Sequence, residues 1–332
     1  MVVSTELQKT LHTNSQEPLV SVITPTYNRP DYLQQALQTA VRQTYKNIEI
    51  IVSDNCSPEN PQALVESFND PRIRFSRNET NLGMFANTMK AFKMARGKYI
   101  ATLLDDDMWE ENFLEKLIPP LEANPNLVLA FCDHYVIDAD GTINDAITEH
   151  CSELFKRTNL QEGIYQPFYK IGLVDQAIAT AMAAVIRTEA IDWDKIPEEV
   201  GGSWDIYLTY LCCCTGMGAY YCPEKLTRYR RHDQTETMMS GRQNYQAKIR
   251  KAQADMFCFE RFMEDERLKE FKPYFQQQWA KVSTNLGVGL MRSAQTKQAR
   301  PYFWRSLQRK FSLRAIAALV LSFTPSSFAR RF

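Results

Sequence analysis

No glycine precedes Gly83 in this 332-residue chain, although twelve are present in all. The first apolar, β-branched run, Leu19 to Thr24, therefore leads into Pro25-Thr26-Tyr27-Asn28-Arg29 and not into a glycine-rich loop. Dinucleotide-binding dehydrogenases and P-loop kinases need such a loop, because only glycine lets backbone amides approach a phosphate closely, and both classes are excluded. No aspartate follows this run directly either, which removes phosphatases that use one there as nucleophile. The eight cysteines include no Cys-x-x-Cys pair, and there are only four histidines, which argues against a zinc site. Residues 1–17 are polar, carry Lys9 as their only basic side chain and have no apolar core segment, so no secretory leader is expected. The late apolar run from Ala315 to Leu321 falls well short of the roughly 18–20 residues that span a bilayer.

Acidic residues are missing from the last part of the chain. After Glu270 there is no Asp or Glu, whereas eleven Lys and Arg follow, from Lys272 to Arg331. The net charge of the whole chain is zero, so an acidic body is joined to a basic tail, and an anionic surface is the expected partner of the tail. Phe303, Trp304, Leu307, Phe311 and Leu313 to Leu321 add aromatic and apolar residues to that charge, the composition of an interfacial helix on an anionic leaflet. A helix packed on the acidic body is the alternative. No nucleic-acid recognition motif accompanies the charge, so no nucleic acid partner is expected. The cysteine pattern, with Cys212-Cys213-Cys214 read as small buried residues, fits a reducing compartment; the expected location is cytoplasmic, peripheral at the inner face of the membrane.

What is present in the first half alternates between strand and helix patterns. Leu19 to Thr24 reads as a strand stopped by Pro25, and Leu33, Ala36, Leu37, Ala40 and Val41 after Asp31 share one helical face. Ile48 to Ser53 forms a second strand, Arg72 to Phe75 a third, Met84 to Ala95 a helix and Tyr99 to Leu104 a fourth strand. This is the order of a parallel sheet covered by helices, whose ligands bind beyond the carboxyl ends of the strands. Those ends carry Pro25 to Arg29, Asp54-Asn55-Cys56-Ser57 and the three aspartates Asp105-Asp106-Asp107. Adjacent carboxylates repel one another; at a strand mouth they point to a hard cation such as Mg²⁺ or Mn²⁺ that brings substrate phosphates with it. A solvated acidic turn capping the next helix is the plainer reading of the triplet. With no glycine cradle available, a bound nucleotide has to have its charge met by metal.

The chain resembles the family 2 glycosyltransferases, which have the nucleotide-sugar-binding GT-A fold. The likeness rests on Val20-Ser-Val-Ile-Thr-Pro-Thr-Tyr-Asn-Arg29, Gln43-Thr-Tyr-Lys-Asn-Ile-Glu-Ile-Ile-Val-Ser-Asp-Asn55, Asn81-Leu-Gly-Met-Phe-Ala-Asn87 and Ala95-Arg-Gly-Lys-Tyr-Ile100 before the aspartates, within about residues 18–235. It implies an α/β GT-A domain over 18–240, Rossmann-like with a mixed but mainly parallel sheet, whose nucleotide-sugar half covers 18–110 and whose acceptor half covers 111–240. A flexible tail at 1–17 and a helical basic extension at 241–332 complete the expected organisation. By this resemblance Tyr27 flanks the base, usually uracil, and Asp54 hydrogen-bonds its ring, while Pro25, Thr26, Asn28, Arg29, Asn55, Asn81, Gly83 and Asn87 belong to the donor site. The family spacing makes Asp106 the direct metal ligand and puts Asp105 near the ribose or the metal's waters. The alternative register, Asp105-x-Asp107, adds Asp107 to the ligands, because side chains alternate at a strand end.

The second half is expected to carry the acceptor site. Ala179 to Arg187 resembles the strand beside the acceptor, and Gly201 to Leu208 the stretch that presents a catalytic carboxylate at a helix start, here Asp205. Many relatives carry Glu-Asp slightly earlier, where this chain has Gly202 and Ser203; Glu198 and Glu199 are the substitutes. Tyr229-Arg230-Arg231-His232 resembles a segment that closes over the diphosphate and puts its histidine on the metal. The implied activity is inverting transfer of a sugar, of hexosyltransferase type, from a nucleoside-diphosphate donor to a glycan or lipid-linked acceptor in envelope polysaccharide synthesis. The alternative is a non-catalytic sugar-nucleotide or glycan-binding module on the same fold.

Overall fold

The computed structural model describes residues 17–232 and 244–324. All but Glu17 of the tail expected at 1–17 therefore lies outside the described residues, as do Arg330 and Arg331. Among these residues one sheet contains nine strands, running β3-β2-β1-β4-β8-β6-β9-β5 with β7 paired to β9. The strands are β1 (Val20–Thr26), β2 (Ile48–Asp54), β3 (Ile73–Arg77), β4 (Tyr99–Thr102), β5 (Met108–Trp109), β6 (Leu127–Ile137), β7 (Gly163–Tyr165), β8 (Ala184–Arg187) and β9 (Gly218–Arg230). Strands β3, β2, β1 and β4 are parallel; β8 runs antiparallel between β4 and β6, and β6 pairs in parallel with β9. The sheet is thus mixed but mainly parallel.

Every residue of β1 and β2 is buried, which requires cover on both faces. Alternation along the strands divides the apolar residues between two cores. Val20, Val22, Ile50 and Val52 join Leu33, Ala36 and Leu37 of α1 (Pro30–Val41) and Leu114 and Leu117 of α4 (Phe113–Ala123). Ile23 and Ile51 face the other way, toward Phe92 of α3 (Met84–Lys93), Leu208 of α6 (Trp204–Cys214) and the C-terminal helices. Between these lie the short α2 (Gln62–Glu66) and α5 (Asp145–Leu154). The C-terminal helices are α7 (Tyr245–Glu264), α8 (Lys272–Arg292), α9 (Thr296–Arg309) and α10 (Leu313–Leu321). Phe259 and Phe262 of α7 and Phe275 and Trp279 of α8 belong to the same core as Ile23, so the extension is packed onto the sheet.

Two strand boundaries differ from the sequence reading, and both bear on the site. Strand β1 runs through Pro25, which pairs with Ser53. The ladder with β4 ends at Ile23 opposite Thr102, so beyond it only one edge of β1 is paired and a missing N–H is tolerated. Strand β4 ends at Thr102 and not at Leu104, and a turn carries the aspartates, with the Asp107 amide donating to the Leu104 carbonyl at 3.1 Å. The strand alternation that would put Asp105 and Asp107 on one face therefore does not apply. Gly97 begins this segment in close contact: a Cβ there would lie 2.6 Å from the Ser21 nitrogen and 2.8 Å from the Leu19 carbonyl oxygen.

Candidate active site

The ends of β1 and β4 are neighbours, and this brings Thr26 to Arg29 against the aspartate turn. Thr26 Oγ1 donates to Asp105 Oδ2 at 2.8 Å, and the Tyr27 amide donates to the same oxygen at 3.3 Å. Arg29 Nη1 bridges Asp105 Oδ1 at 3.1 Å and Asp106 Oδ2 at 2.7 Å. His232, at the end of the segment after β9, places Nε2 3.1 Å from that same Asp106 oxygen. The Tyr32 ring packs 4.7 Å from the His232 ring. Burial, and then the charge of Asp106, push the Asp105 carboxyl up to about 6, against the attraction of Arg29. The Arg29 guanidinium is in turn held above its ordinary value by the aspartates, which outweigh its burial.

Asp107 and Arg230 are turned into the body. Asp107 is 1 % exposed; Oδ1 accepts from the Arg230 amide at 2.9 Å, while Oδ2 is buried without a hydrogen-bond partner. Burial and Asp106 raise its pKa well above the ordinary carboxylate value. The Arg230 side chain, expected at the diphosphate, is fully buried. Its guanidinium donates to the Asp106 and Ala139 carbonyls and to Gln35 Oε1, and stacks 4.7 Å from the Tyr32 ring. That geometry makes Arg230 a support for the aspartate turn, because its Nε and both terminal nitrogens donate to protein groups. Arg231 is half-buried, and its amide donates to the Ile137 carbonyl at 2.9 Å.

The end of β2 is similarly built. Asp54 is fully buried, paired with Arg77 and accepting from the Ser57 hydroxyl and amide, so its carboxylate ties the turn after β2 to β3. Asn28, at φ 55°, takes the left-handed conformation that asparagine tolerates, and its amide donates to Ser57 Oγ at 2.8 Å. Asn55 Nδ2 donates to Asn81 Oδ1, and Asn55 Oδ1 accepts from Asn78 Nδ2 and the Leu82 amide. Asn87 donates to the Ser53 carbonyl and accepts from Ser53 Oγ and Asn78. Gly83, at φ +85°, gives the chain its entry into α3. Against this hydrogen-bonded floor Tyr27 stands 43 % exposed at the end of β1, with its ring accessible to a ligand. Ser57 belongs to the polar strand end legible in the sequence, whereas nothing local marks Arg77 or Asn78.

Asp205 lies elsewhere in the fold, on the first turn of α6. It lines a cavity of 160 Å³ together with His134, Arg157, Gln176 and Thr209. The Thr180 hydroxyl fixes this turn by donating to the Asp205 carbonyl at 2.7 Å. Burial raises the Asp205 pKa, with the Lys251 cation opposing it. The cavity wall is anchored by a buried ion pair, Arg157 to Asp133 at 2.6 Å, while burial and then Arg157 hold His134 down to about 3, which keeps it neutral. Lys251 comes from α7, more than forty residues downstream, and nothing local in the sequence marks it. Glu198 and Glu199 line a different cavity, of 1010 Å³, with Met84, Gly202, Lys251 and Phe257.

The donor set around Asp106 fits a hard divalent ion only in part. No group of three or more His, Cys, Asp or Glu among the described residues is arranged to hold a metal. Asp106 and His232 supply one carboxylate and one imidazole at a common point, and the Arg29 cation lies on the same oxygen. Such a pair suits an ion whose remaining ligands come from phosphate and water.

The model of "Glycosyl transferase family 2" matches residues 21–181. An uncharacterized glycosyltransferase of Methanocaldococcus jannaschii is 29 % identical over 239 residues, 71 % of this chain and 76 % of the relative. The putative colanic acid biosynthesis glycosyl transferase WcaA of Escherichia coli K12 is 34 % identical over 125 residues, 37 % of this chain and 45 % of the relative. WfgD of Escherichia coli, a UDP-Glc:alpha-D-GlcNAc-diphosphoundecaprenol beta-1,3-glucosyltransferase, is 33 % identical over 125 residues, 38 % of this chain and 49 % of the relative. The chain thus spans about half the length of the last two. Among solved structures, S. aureus TarS 1-349 in complex with UDP-GlcNAc superposes with a TM-score of 0.63 at 14 % identity, over 91 % of this chain and 90 % of that one. Mannosyltransferase PcManGT from Pyrobaculum calidifontis, in complex with GDP-Man and Mn2+, gives 0.55 at 18 % identity, over 96 % and 84 %. At these identities the two structures share the fold with this chain.

Proposed function

Because the chain belongs to glycosyl transferase family 2 and is related to enzymes of surface polysaccharide biosynthesis, we propose that it is an inverting hexosyltransferase. On this reading it moves a sugar from a nucleoside-diphosphate donor, with UDP as the nucleotide, to a hydroxyl of a glycan or lipid-linked acceptor. The observation that carries the proposal is the convergence of Arg29, Asp105, Asp106 and His232 at the carboxyl ends of β1 and β4. Asp106 and His232 would hold Mg²⁺ or Mn²⁺, which when bound neutralises the leaving diphosphate. Arg29 supplies a second cation for the same phosphates, and Tyr27 offers an exposed aromatic face to the base. Asp54, Asn55, Asn81 and Asn87 hold the floor beneath it. Asp107 and Arg230 act from below by fixing the aspartate turn.

Asp205 is proposed as the base that takes the proton of the acceptor hydroxyl. Inversion requires such a base on the face opposite the leaving group, and a carboxyl whose pKa burial has raised is better matched to a hydroxyl at neutral pH than an ordinary one. UDP release from a panel of UDP-sugars with Mn²⁺ tests the reading. Turnover with at least one donor is expected, and Asp106→Asn should lower it about a hundredfold or more and abolish the gain in UDP affinity on adding Mn²⁺. Full activity in Asp106→Asn would sink the metal assignment. UDP binding without turnover of any donor would favour a binding module, for which Gly202 and Ser203 in place of Glu-Asp is the supporting feature.

A further inference from the structure

Helix α10 carries apolar residues on its outward as well as its packed side. Its inward side combines Ala315 and Ala318, both 0 % exposed, with Leu319 and Leu321, which pack partly buried on the core. Its outward positions are large and apolar: Leu313 is 75 % and Val320 61 % exposed. These two lie seven residues apart, on one helical stripe with Ile316 and Ala317. Phe311, immediately before the helix, is 71 % exposed. A helix stabilised only by its own protein shows mainly polar side chains outward, so the exposed Leu313 and Val320 leave an apolar stripe for something outside the described fold.

The charges around the stripe identify the occupant. Lys310 and Arg314 flank Phe311 and Leu313 and are exposed, Arg309 is exposed one turn earlier, and no acidic residue follows Glu270. A second copy of the chain on this face would set these cations against one another. An anionic bilayer supplies both what the stripe and what the cations need, an apolar layer beneath a plane of phosphates. At nine residues α10 is too short to cross that layer, and no described helix is long and apolar enough to do so, so the contact is in-plane. We propose that α10 is a membrane-docking helix, with Phe311, Leu313 and Val320 entering the headgroup–acyl boundary and Lys310 and Arg314 on the lipid phosphates. The site holding Asp106 plays no part in this inference, which stands or falls separately.

Co-sedimentation of the full chain with vesicles tests it. Vesicles of phosphatidylcholine with about a third phosphatidylglycerol should bind the protein about tenfold or more tightly than phosphatidylcholine alone. Leu313→Asp with Val320→Asp should lose at least about tenfold of that binding, and Lys310→Gln and Arg314→Gln about fivefold each. All four positions are exposed, so unchanged far-ultraviolet circular dichroism and melting are expected; should the aspartate pair unfold the chain, the glutamine variants decide. Wild type left in the supernatant with both vesicles, or variants that sediment like wild type, would overturn the proposal. So would a lipid-free dimer that Leu313→Asp and Val320→Asp convert to monomer, since the stripe would then belong to a second copy.

Discussion

A carboxylate taken out of water loses solvation that a nearby cation or hydrogen-bond donors restore, and at Asp205 the cation is Lys251. Lys251 is itself held above its ordinary pKa by Asp255 and Asp205, in spite of burial, and it pairs with Asp255 at 3.2 Å. If Asp205 is the base, it works only when ionised, so activity falls as pH drops through its raised pKa. Lys251→Met removes the charge that lowers this pKa. The acid limb of kcat/KM should therefore move to higher pH, and a pH–rate profile that stays in place or moves down would show that Asp205 is not the titrating base. The same residue-scale physics separates the three aspartates. Their adjacency was plain in the sequence, but their roles were not: Asp105 is tied to Thr26 and Arg29, Asp106 faces His232, and Asp107 is turned under Arg230. Partners 76 to 126 positions away distinguish them, and no local pattern encodes such distances.

At the scale of elements, close approach decides what can be changed. Gly287 of α8 meets Phe303 of α9, where an added Cβ would lie 2.4 Å from the ring, which is fully buried. Gly287→Val should destabilise by about 1–3 kcal/mol through overpacking, read as a lower midpoint in urea at unchanged slope. A variant as stable as wild type would mean that α9 can move off α8. The sequence reading found α1, β2 and α3 from their apolar spacing, and placed a helix start beside Asp205, because those signals are local. It ended β1 at Pro25 and carried β4 on to Leu104. Both boundaries depend on where the β1–β4 ladder stops, which is a property of two strands and not of either alone.

For the whole molecule, the sheet needs cover on two faces, and only one is supplied by α1 and α4. The other includes Phe259 and Phe262, which pack with Phe275 at ring separations of 6.2 and 5.4 Å. A chain ending at Glu270 loses Phe275, Trp279, Leu286 and Phe303 from that core and should aggregate on expression; a soluble, cooperatively melting fragment would show that the extension is dispensable. The order of residues determined that no glycine-rich phosphate loop follows β1 and that the last part of the chain is basic without acidic residues. It also carried the resemblance to the family and placed Thr26, Asp54 and Asp106 close after apolar strand runs. Only the tertiary structure decided that Arg230 supports the turn, that Lys251 from a distant helix faces Asp205, and that α10 leaves Leu313 and Val320 exposed. Covalent order and side-chain type are fixed in one dimension, whereas solvation, ion pairing and the direction a helix faces depend on what packs beside each group.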